Sequence, residues 1–309
     1  PSNYIYALAL NSTGRLWAGT IKGAVRFDDT RWTTYTNKDS LADDWVIAFH
    51  PDGQERMICG TQRGVSLFDG IKWSTLPDRN FSSTTYDIAD AVIRDRQGNI
   101  WMSLRKDGAA RWDGNGWTTF NTRNSAIASD WSTCFTLDSL GFLWCGTING
   151  LCRFNGRQWR SFDMSDGLPD IYITDLLTDR QGNIWIITSY GGLSCLTAEA
   201  IATFQEPPVY NPDIELKFYD KVDGLVSNSV LCVAVDKQGN KWFGANDGIS
   251  RFDGSVWTTF RPDSSIRKDN YCRDIAVDTD GSIWFTSINS GVRRYDGSRW
   301  STFTTADGL

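Results

Sequence analysis

Between Asp236 and Phe260 the chain reads DKQGNKWFGANDGISRFDGSVWTTF. Asp138–Phe162 reads DSLGFLWCGTINGLCRFNGRQWRSF, and Asp278–Phe303 reads DTDGSIWFTSINSGVRRYDGSRWSTF. These are copies of one unit. Its tryptophan returns at Trp17, Trp101, Trp144, Trp185, Trp242 and Trp284, and Met57 fills the missing beat. The steps between these positions are 40, 44, 43, 41, 57 and 42 residues. A repeat of about 40–45 residues marks a propeller blade, a unit that buries its apolar face only against a neighbour. The seven copies predict an all-β fold, a seven-bladed β-propeller with four antiparallel strands per blade.

Strand A of each unit is a short apolar or alternating run, such as YIYALAL, STCFTL or VLCVAV, bounded by turn residues. A D-x-x-G turn leads into strand B, which holds the periodic Trp. Its Gly supplies the positive φ of a tight hairpin. A second turn (Lys22-Gly23, Asn149-Gly150, Asp247-Gly248) opens strand C. Asp-Gly pairs such as Asp69-Gly70 and Asp253-Gly254 then turn into strand D. Strand D carries a second Trp at 32, 73, 117, 159, 257 and 300. These twelve Trp are expected to pack between blades, with each indole N–H on a backbone carbonyl. The predicted blades are 1–38, 39–79, 80–123, 124–165, 166–222, 223–263 and 264–309.

The 57-residue step marks an insertion near 205–218 in the fifth blade. Two segments compete there for strand D: Ile201 with Phe204, and Leu216 with Tyr219. Pro207, Pro208 and Pro212 argue against a helix between them. The chain starts PSNYIYALAL and stops TTADGL, which joined resemble DGLPD at Asp166–Asp170. Both ends are therefore expected at one repeat boundary, with every blade made from one continuous stretch, as in a segment cut in phase from a longer protein.

The 309 residues suit a ring of seven small blades better than a single core. A net charge of −6 lacks the basic stripe that nucleic acid requires. No run of about 18 apolar residues offers a membrane span. The seven cysteines fall in predicted strands and read as buried thiols. Cys145 and Cys152 face each other across one hairpin and are the candidate pair, though directly opposed strand positions strain a disulfide. Nothing has metal-ligand spacing. Asp278-x-Asp280-Gly281 sits in the hairpin slot and lacks a calcium-loop ligand ladder. No cofactor is implied.

The unit resembles the two-component regulator propeller repeat, whose pattern is roughly D-x-x-G-x-[IL]-W-x-G-T-x-x-G-[LV]-x-R-[FY]-D-G-x-x-W-x-x-[FY] followed by D-G-L. Asn11–Tyr35, Asp138–Phe162, Asp236–Phe260 and Asp278–Phe303 match it; Asp52–Leu76, Asp95–Phe120 and Asp179–Phe204 match more loosely. The resemblance implies an extracytoplasmic sensor propeller of a bacterial hybrid two-component system, periplasmic or extracellular. Several such proteins are implicated in sensing polysaccharide breakdown products. It also implies contact with adjacent sensor modules or a homodimer partner.

Specific chemistry in such a ring belongs to loops. The D-to-A and B-to-C loops share one face, where strand A enters the central channel. Residues there that depart from the repeat are the binding candidates: Trp45, Trp131, Tyr172, Tyr271, Arg273, Asp175, Asp274, Asp90, Tyr190 and Arg105. Tyr4, Asp44, Lys22, Arg63, Lys106, Asn149, Asn246 and Asn289 stand nearby. Aromatic rings beside carboxylates and Arg suit an oligosaccharide or similar polar ligand. Packing between blades and polar pairs lining the channel are the structural alternative.

No catalytic residue is assigned. The one histidine, His50, precedes an A-to-B turn on the opposite face, so no Ser-His-Asp or Cys-His set assembles around it. Streptogramin lyases, also seven-bladed propellers, depend on a histidine at the site. A protein-interaction scaffold, with an apolar patch on 205–222, is the second reading. A carbohydrate-active lyase or hydrolase using Asp90, Asp175 and Asp274 is the third.

Overall fold

The computed structural model describes residues 2–28, 30–77, 89–203, 216–261, 271–287 and 291–309. Seven four-stranded antiparallel sheets make a seven-bladed β-propeller. Each sheet uses four strands consecutive in sequence, so no blade is shared between the two ends. The innermost strands are Ile5–Leu10, Val46–Pro51, Val92–Arg94, Ser132–Leu137, Ile173–Thr178, Val230–Val235 and Ile275–Val277.

Apolar burial is between blades rather than within one. Trp144, Leu151 and Phe162 of blade four pack with Ile173, Ile184 and Leu196 of blade five. At the closure, Leu16, Val25 and Trp32 of blade one pack with Ala276, Trp284, Val292 and Leu309. The end of the chain thus plugs the first blade, and Thr305 N–H adds a bond to Asn3 Oδ1.

The strand-B tryptophans are buried, as their period requires. Their indole N–H groups do not find backbone carbonyls. Trp101, Trp144, Trp185, Trp242 and Trp284 donate through Nε1 to the Asp six residues earlier, at 2.8–3.2 Å. The Asp of D-x-x-G therefore works twice. In Asp138, Oδ1 takes the Leu140 and Phe142 N–H groups that close the hairpin, and Oδ2 takes the indole. A charged acceptor in a buried setting is stronger than a carbonyl. In blade two the pairing puts Ile58, not Met57, in the place of the Trp: Ile58 stands opposite His50 and Leu67 as Trp144 stands opposite Thr136 and Arg153, and its side chain offers no N–H. Asp52 instead grips Arg94 of blade three with both oxygens, at 2.7 and 2.9 Å.

In the fifth blade the outer strand is Leu216–Tyr219, paired to Leu193–Leu196. Ile201 lies in a short helix, Ala198–Ala202, capped by Thr197. Phe204, the three prolines and the rest of 204–215 lie outside the described residues, as does Asn289.

All seven cysteines are free thiols. Cys145 and Cys152 are direct cross-strand partners, as expected, but each sulfur is engaged elsewhere. Cys145 Sγ donates to Gly146 O at 3.4 Å, and Cys152 Sγ accepts from Ala128 N–H at 3.1 Å. No described helix is long and apolar enough to cross a membrane.

Candidate functional site

A channel of about 670 Å³ runs through the ring. Its wall is the seven inner strands. In five of them the pairing slips by one residue near the start, at Tyr6, Ile47, Thr133, Thr174 and Leu231. A bulge re-aims a side chain and leaves local ladder bonds unmade. Asp90 and Arg273 hold the same slot in blades three and seven, just ahead of shorter strands. This slot faces the channel, where Tyr6, Asp90, Thr133, Thr174 and Arg273 contribute to the lining.

Inner edges of neighbouring blades are tied by side chains. Thr133 Oγ1 donates to Ile173 O at 2.7 Å, and Thr174 Oγ1 to Val230 O at 3.1 Å. Asp175 accepts from Val233 N–H at 2.9 Å and Leu176 N–H at 2.8 Å. Asp274 accepts from Leu8 N–H at 2.6 Å and Ile275 N–H at 2.8 Å. Each of these two carboxylates thus bridges to the next blade, and Asp274 does so across the ring closure. Burial within the channel wall raises Asp175 to about 7, with repulsion from Asp274 adding to it. Burial raises Asp274 to about 6. The backbone donors oppose both shifts without cancelling them.

The mouth on the D-to-A face is aromatic and polar. Arg105 grips Asp90 with two bonds of 2.7 Å, and its guanidinium lies 5.5 Å over the Trp131 ring. Trp131 is held by blade three: Gly108 bridges to it, and Ser132 Oγ donates to Gly108 O at 2.6 Å. Arg273 lies 4.7 Å over Tyr6 and has no ion pair among the described residues. Tyr172 is exposed, and Tyr271 is half-buried. Desolvation raises the Tyr271 phenol above its usual value, so it stays a neutral donor at physiological pH.

The opposite end of the channel is apolar, with Leu10, Pro51, Ile93, Leu177, Val235 and Val277. His50 stands there. Desolvation lowers it to about 4, so it is neutral at pH 7.

Eight of the ten candidates therefore share one channel: Asp90, Arg105, Trp131, Tyr172, Asp175, Tyr271, Arg273 and Asp274. Trp45 and Tyr190 do not line it. Trp45 packs edge-on against Tyr6 at 5.5 Å, behind the wall. Tyr190 is 77% exposed, on a turn whose N–H bonds Asp170. Asp44 instead accepts the Asn37 N–H of the preceding turn. Tyr6, Thr133 and Thr174 line the channel and were not singled out by sequence. They share the second place of the inner strands Ile5–Leu10, Ser132–Leu137 and Ile173–Thr178, and that common offset is the signal. Tyr4, which was singled out, is two residues early and half exposed.

Among the described residues no group of three His, Cys, Asp or Glu side chains is placed to hold a metal ion.

A sequence profile of the two component regulator propeller matches residues 167–190, which run from the D-G-L turn through strand B of blade five. Histidine kinase P4 of Formosa agariphila is 35% identical over 51 residues, 16% of this chain and 4% of that protein. The extracellular domain assigned to a hybrid two-component system of B. thetaiotaomicron superposes with a TM-score of 0.78 at 21% identity. The match covers 96% of this chain and 39% of that one. A catalytically inactive histidine-to-alanine virginiamycin B lyase of Staphylococcus aureus, solved with quinupristin, gives 0.70 at 14% identity, covering 94% of each chain. The chain thus spans well under half the length of the two signalling proteins. At these identities the structural likenesses establish the seven-bladed fold.

Proposed function

We propose that this chain is the ligand-binding propeller of an extracytoplasmic sensor in a two-component-type system, and that it binds an oligosaccharide or similar polar ligand. The observation that carries this reading is the channel mouth. Trp131, Tyr172 and Tyr271 offer faces for pyranose rings, while Arg105, Asp90 and Arg273 offer hydroxyl partners. Clefts that combine apolar faces with a few fixed polar groups are the usual ligand sites. The repeat match at 167–190 and the likeness to extracellular two-component domains support the setting. Binding is passed on through an adjoining module or a homodimer partner.

A non-enzymatic role is favoured over acid–base chemistry. Asp90 is neutralised by Arg105, and the oxygens of Asp175 and Asp274 already accept backbone N–H groups. His50 stands at the far end of the channel, away from the rings and guanidinium groups at the mouth.

The test is titration calorimetry against a panel of oligosaccharides. Trp131→Ala should weaken a hit at least 10-fold, because stripping one stacked ring from a buried contact removes about 1.5 kcal/mol or more. Tyr190→Ala should leave it unchanged. Equal affinity in Trp131→Ala and wild type would remove the mouth as the site. Turnover of a polymer, lost in Asp175→Asn, would replace the sensor reading with the lyase or hydrolase one.

A further inference from the structure

Cys232 and Cys272 stand on neighbouring blades, 40 residues apart in sequence, with their Sγ atoms 3.8 Å from each other. Cys232 lies in the inner strand Val230–Val235 of blade six, and Cys272 shortly precedes the inner strand of blade seven. Both are buried. The Cys232 thiol points at Cys272 O, at 3.7 Å, and the Cys272 thiol at Asp274 O, at 3.5 Å. Gly244 lies across the ladder from Cys232. A Cβ on Gly244 would stand 2.4 Å from Cys272 Sγ and 2.5 Å from Cys232 Sγ. The two sulfurs therefore share the space that a missing side chain leaves. At the equivalent junction of blades four and five, Gly146 is covered by Cys134 and Ile173. Among the described residues no other thiol pair is placed across a blade junction in this way.

We propose that Cys232 and Cys272 are a disulfide site that ties blade six to blade seven when the chain folds in an oxidising compartment. The oxidant is a disulfide donor, either a small molecule or a thiol oxidase. One cysteine thiolate attacks the donor S–S bond, and a mixed disulfide forms as the first donor thiolate leaves. The second cysteine then attacks the sulfur of the first, and the second donor thiolate leaves. Two cysteines lose two protons and two electrons, and the donor becomes two thiols. Closing the bond brings the sulfurs from 3.8 Å to about 2.05 Å, a side-chain movement rather than a rearrangement of strands.

Burial pushes the Cys232 thiol well above its ordinary value. Thiolate is the attacking species, so the finished ring reacts slowly and the bond forms as blade seven docks. It would fix the stretch of channel wall that carries Tyr271, Arg273 and Asp274.

The test directs the full chain to a bacterial periplasm and purifies it without reductant. The protein is acid-quenched, denatured, alkylated with N-ethylmaleimide and weighed. Five of the seven cysteines should be alkylated, and peptide mapping should join Cys232 to Cys272. Cys232→Ser should give six alkylated cysteines, and Cys145→Ser should keep the link with four. Dithiothreitol should lower the Tm of the wild type by roughly 5 °C or more, since the bond closes a long loop. Seven alkylated cysteines in folded wild type, or a link between Cys145 and Cys152, would overturn the proposal.

Discussion

Asp138→Asn should destabilise the ring, and its mirror image, Asn11→Asp, should stabilise it. Asp138 is 1% exposed. Its Oδ1 closes the hairpin, while Oδ2 accepts Trp144 Nε1 at 2.9 Å and stands 3.5 Å from Arg153 Nε. An Asn of equal volume keeps the hairpin bonds with its one oxygen. Its NH₂ then meets the indole N–H and the guanidinium, donor against donors. A bond to a charged acceptor is worth about 1.5–3 kcal/mol. Breaking a buried ion pair costs about 3–5 kcal/mol. The two losses share one atom, so they overlap, and the expected cost is about 3–5 kcal/mol in all. Blade one already carries Asn in this slot. There, Trp17 Nε1 and Arg26 Nε are buried with no hydrogen-bond acceptor, and Arg26 lies 5.7 Å over Trp17, as Arg153 does over Trp144. Asn11 turns its Nδ2 to Glu55 at 3.4 Å instead. Asn11→Asp gives the Trp17 indole the acceptor its counterparts have and brings a carboxylate near the Arg26 guanidinium, set against repulsion from Glu55, which Arg15 moderates at 3.0 Å. The net gain should be about 1–2 kcal/mol. Urea unfolding followed by far-ultraviolet circular dichroism at pH 7, with the m-value held constant, reads both. An Asp138→Asn variant within 1 kcal/mol of wild type, or a clearly destabilised Asn11→Asp, would refute the role given to the turn aspartate.

The stability contributed by Asp175 and Asp274 should fall as pH rises from about 4 to 8, because they are raised in the fold to about 7 and 6, whereas His50, lowered to about 4, works in the opposite direction up to about pH 6.5. Between an unfolded value near 3.9 and those folded values, the native state holds more protons than the unfolded one. Their contribution is therefore full below about pH 4 and is lost as pH passes 6 and 7. It amounts to roughly 3–4 kcal/mol between them, halved from the full linkage because the channel admits water. Urea midpoints of wild type and Asp175→Asn compared across that range should show it, with the variant's slope shifted towards rising stability; a slope unchanged in that variant contradicts the assignment. Gly146→Ala should cost about 1–3 kcal/mol, since its Cβ would stand 2.4 Å from Cys134 Sγ and 2.7 Å from Ile173 Cγ2. Adding Cys134→Ala should restore part of the loss in thermal melts, and an additive double variant would show the clash lies elsewhere. Thr133→Val should lower stability by about 1 kcal/mol through the lost bond to Ile173 O, with no change at Thr136→Val beyond its own bond to Thr178.

Sequence reading reached the fold because every decisive signal was local and repeated. A D-x-x-G hairpin, a Trp at a set offset and an Asp-Gly turn recur in most units, and gaps in one copy are filled by the others. It reached most of the channel residues for a related reason: positions that break a repeat stand out against it. It failed where the answer depended on what the neighbouring blade presents. Trp45 and Trp131 break the repeat alike, yet one lines the channel and the other packs behind Tyr6. Both immediately precede strands with the same one-residue bulge, so the neighbouring blade separates them: Arg105 and Gly108 of blade three meet Trp131, while Tyr6 of blade one meets Trp45. The turn aspartates were read as hairpin formers, and their bond to the Trp six residues on was missed, though that offset is constant.

The amino-acid order alone thus determined the blade, its four strands, the count of seven and the face to search, because these follow from short-range periodicity. Only the closed ring decided what meets across blade junctions. Asp274 reaches Leu8 from the far end of the chain, and Cys232 meets Cys272 over Gly244. Such contacts lie tens to hundreds of residues apart, where register, bulge and blade docking together set which atoms touch.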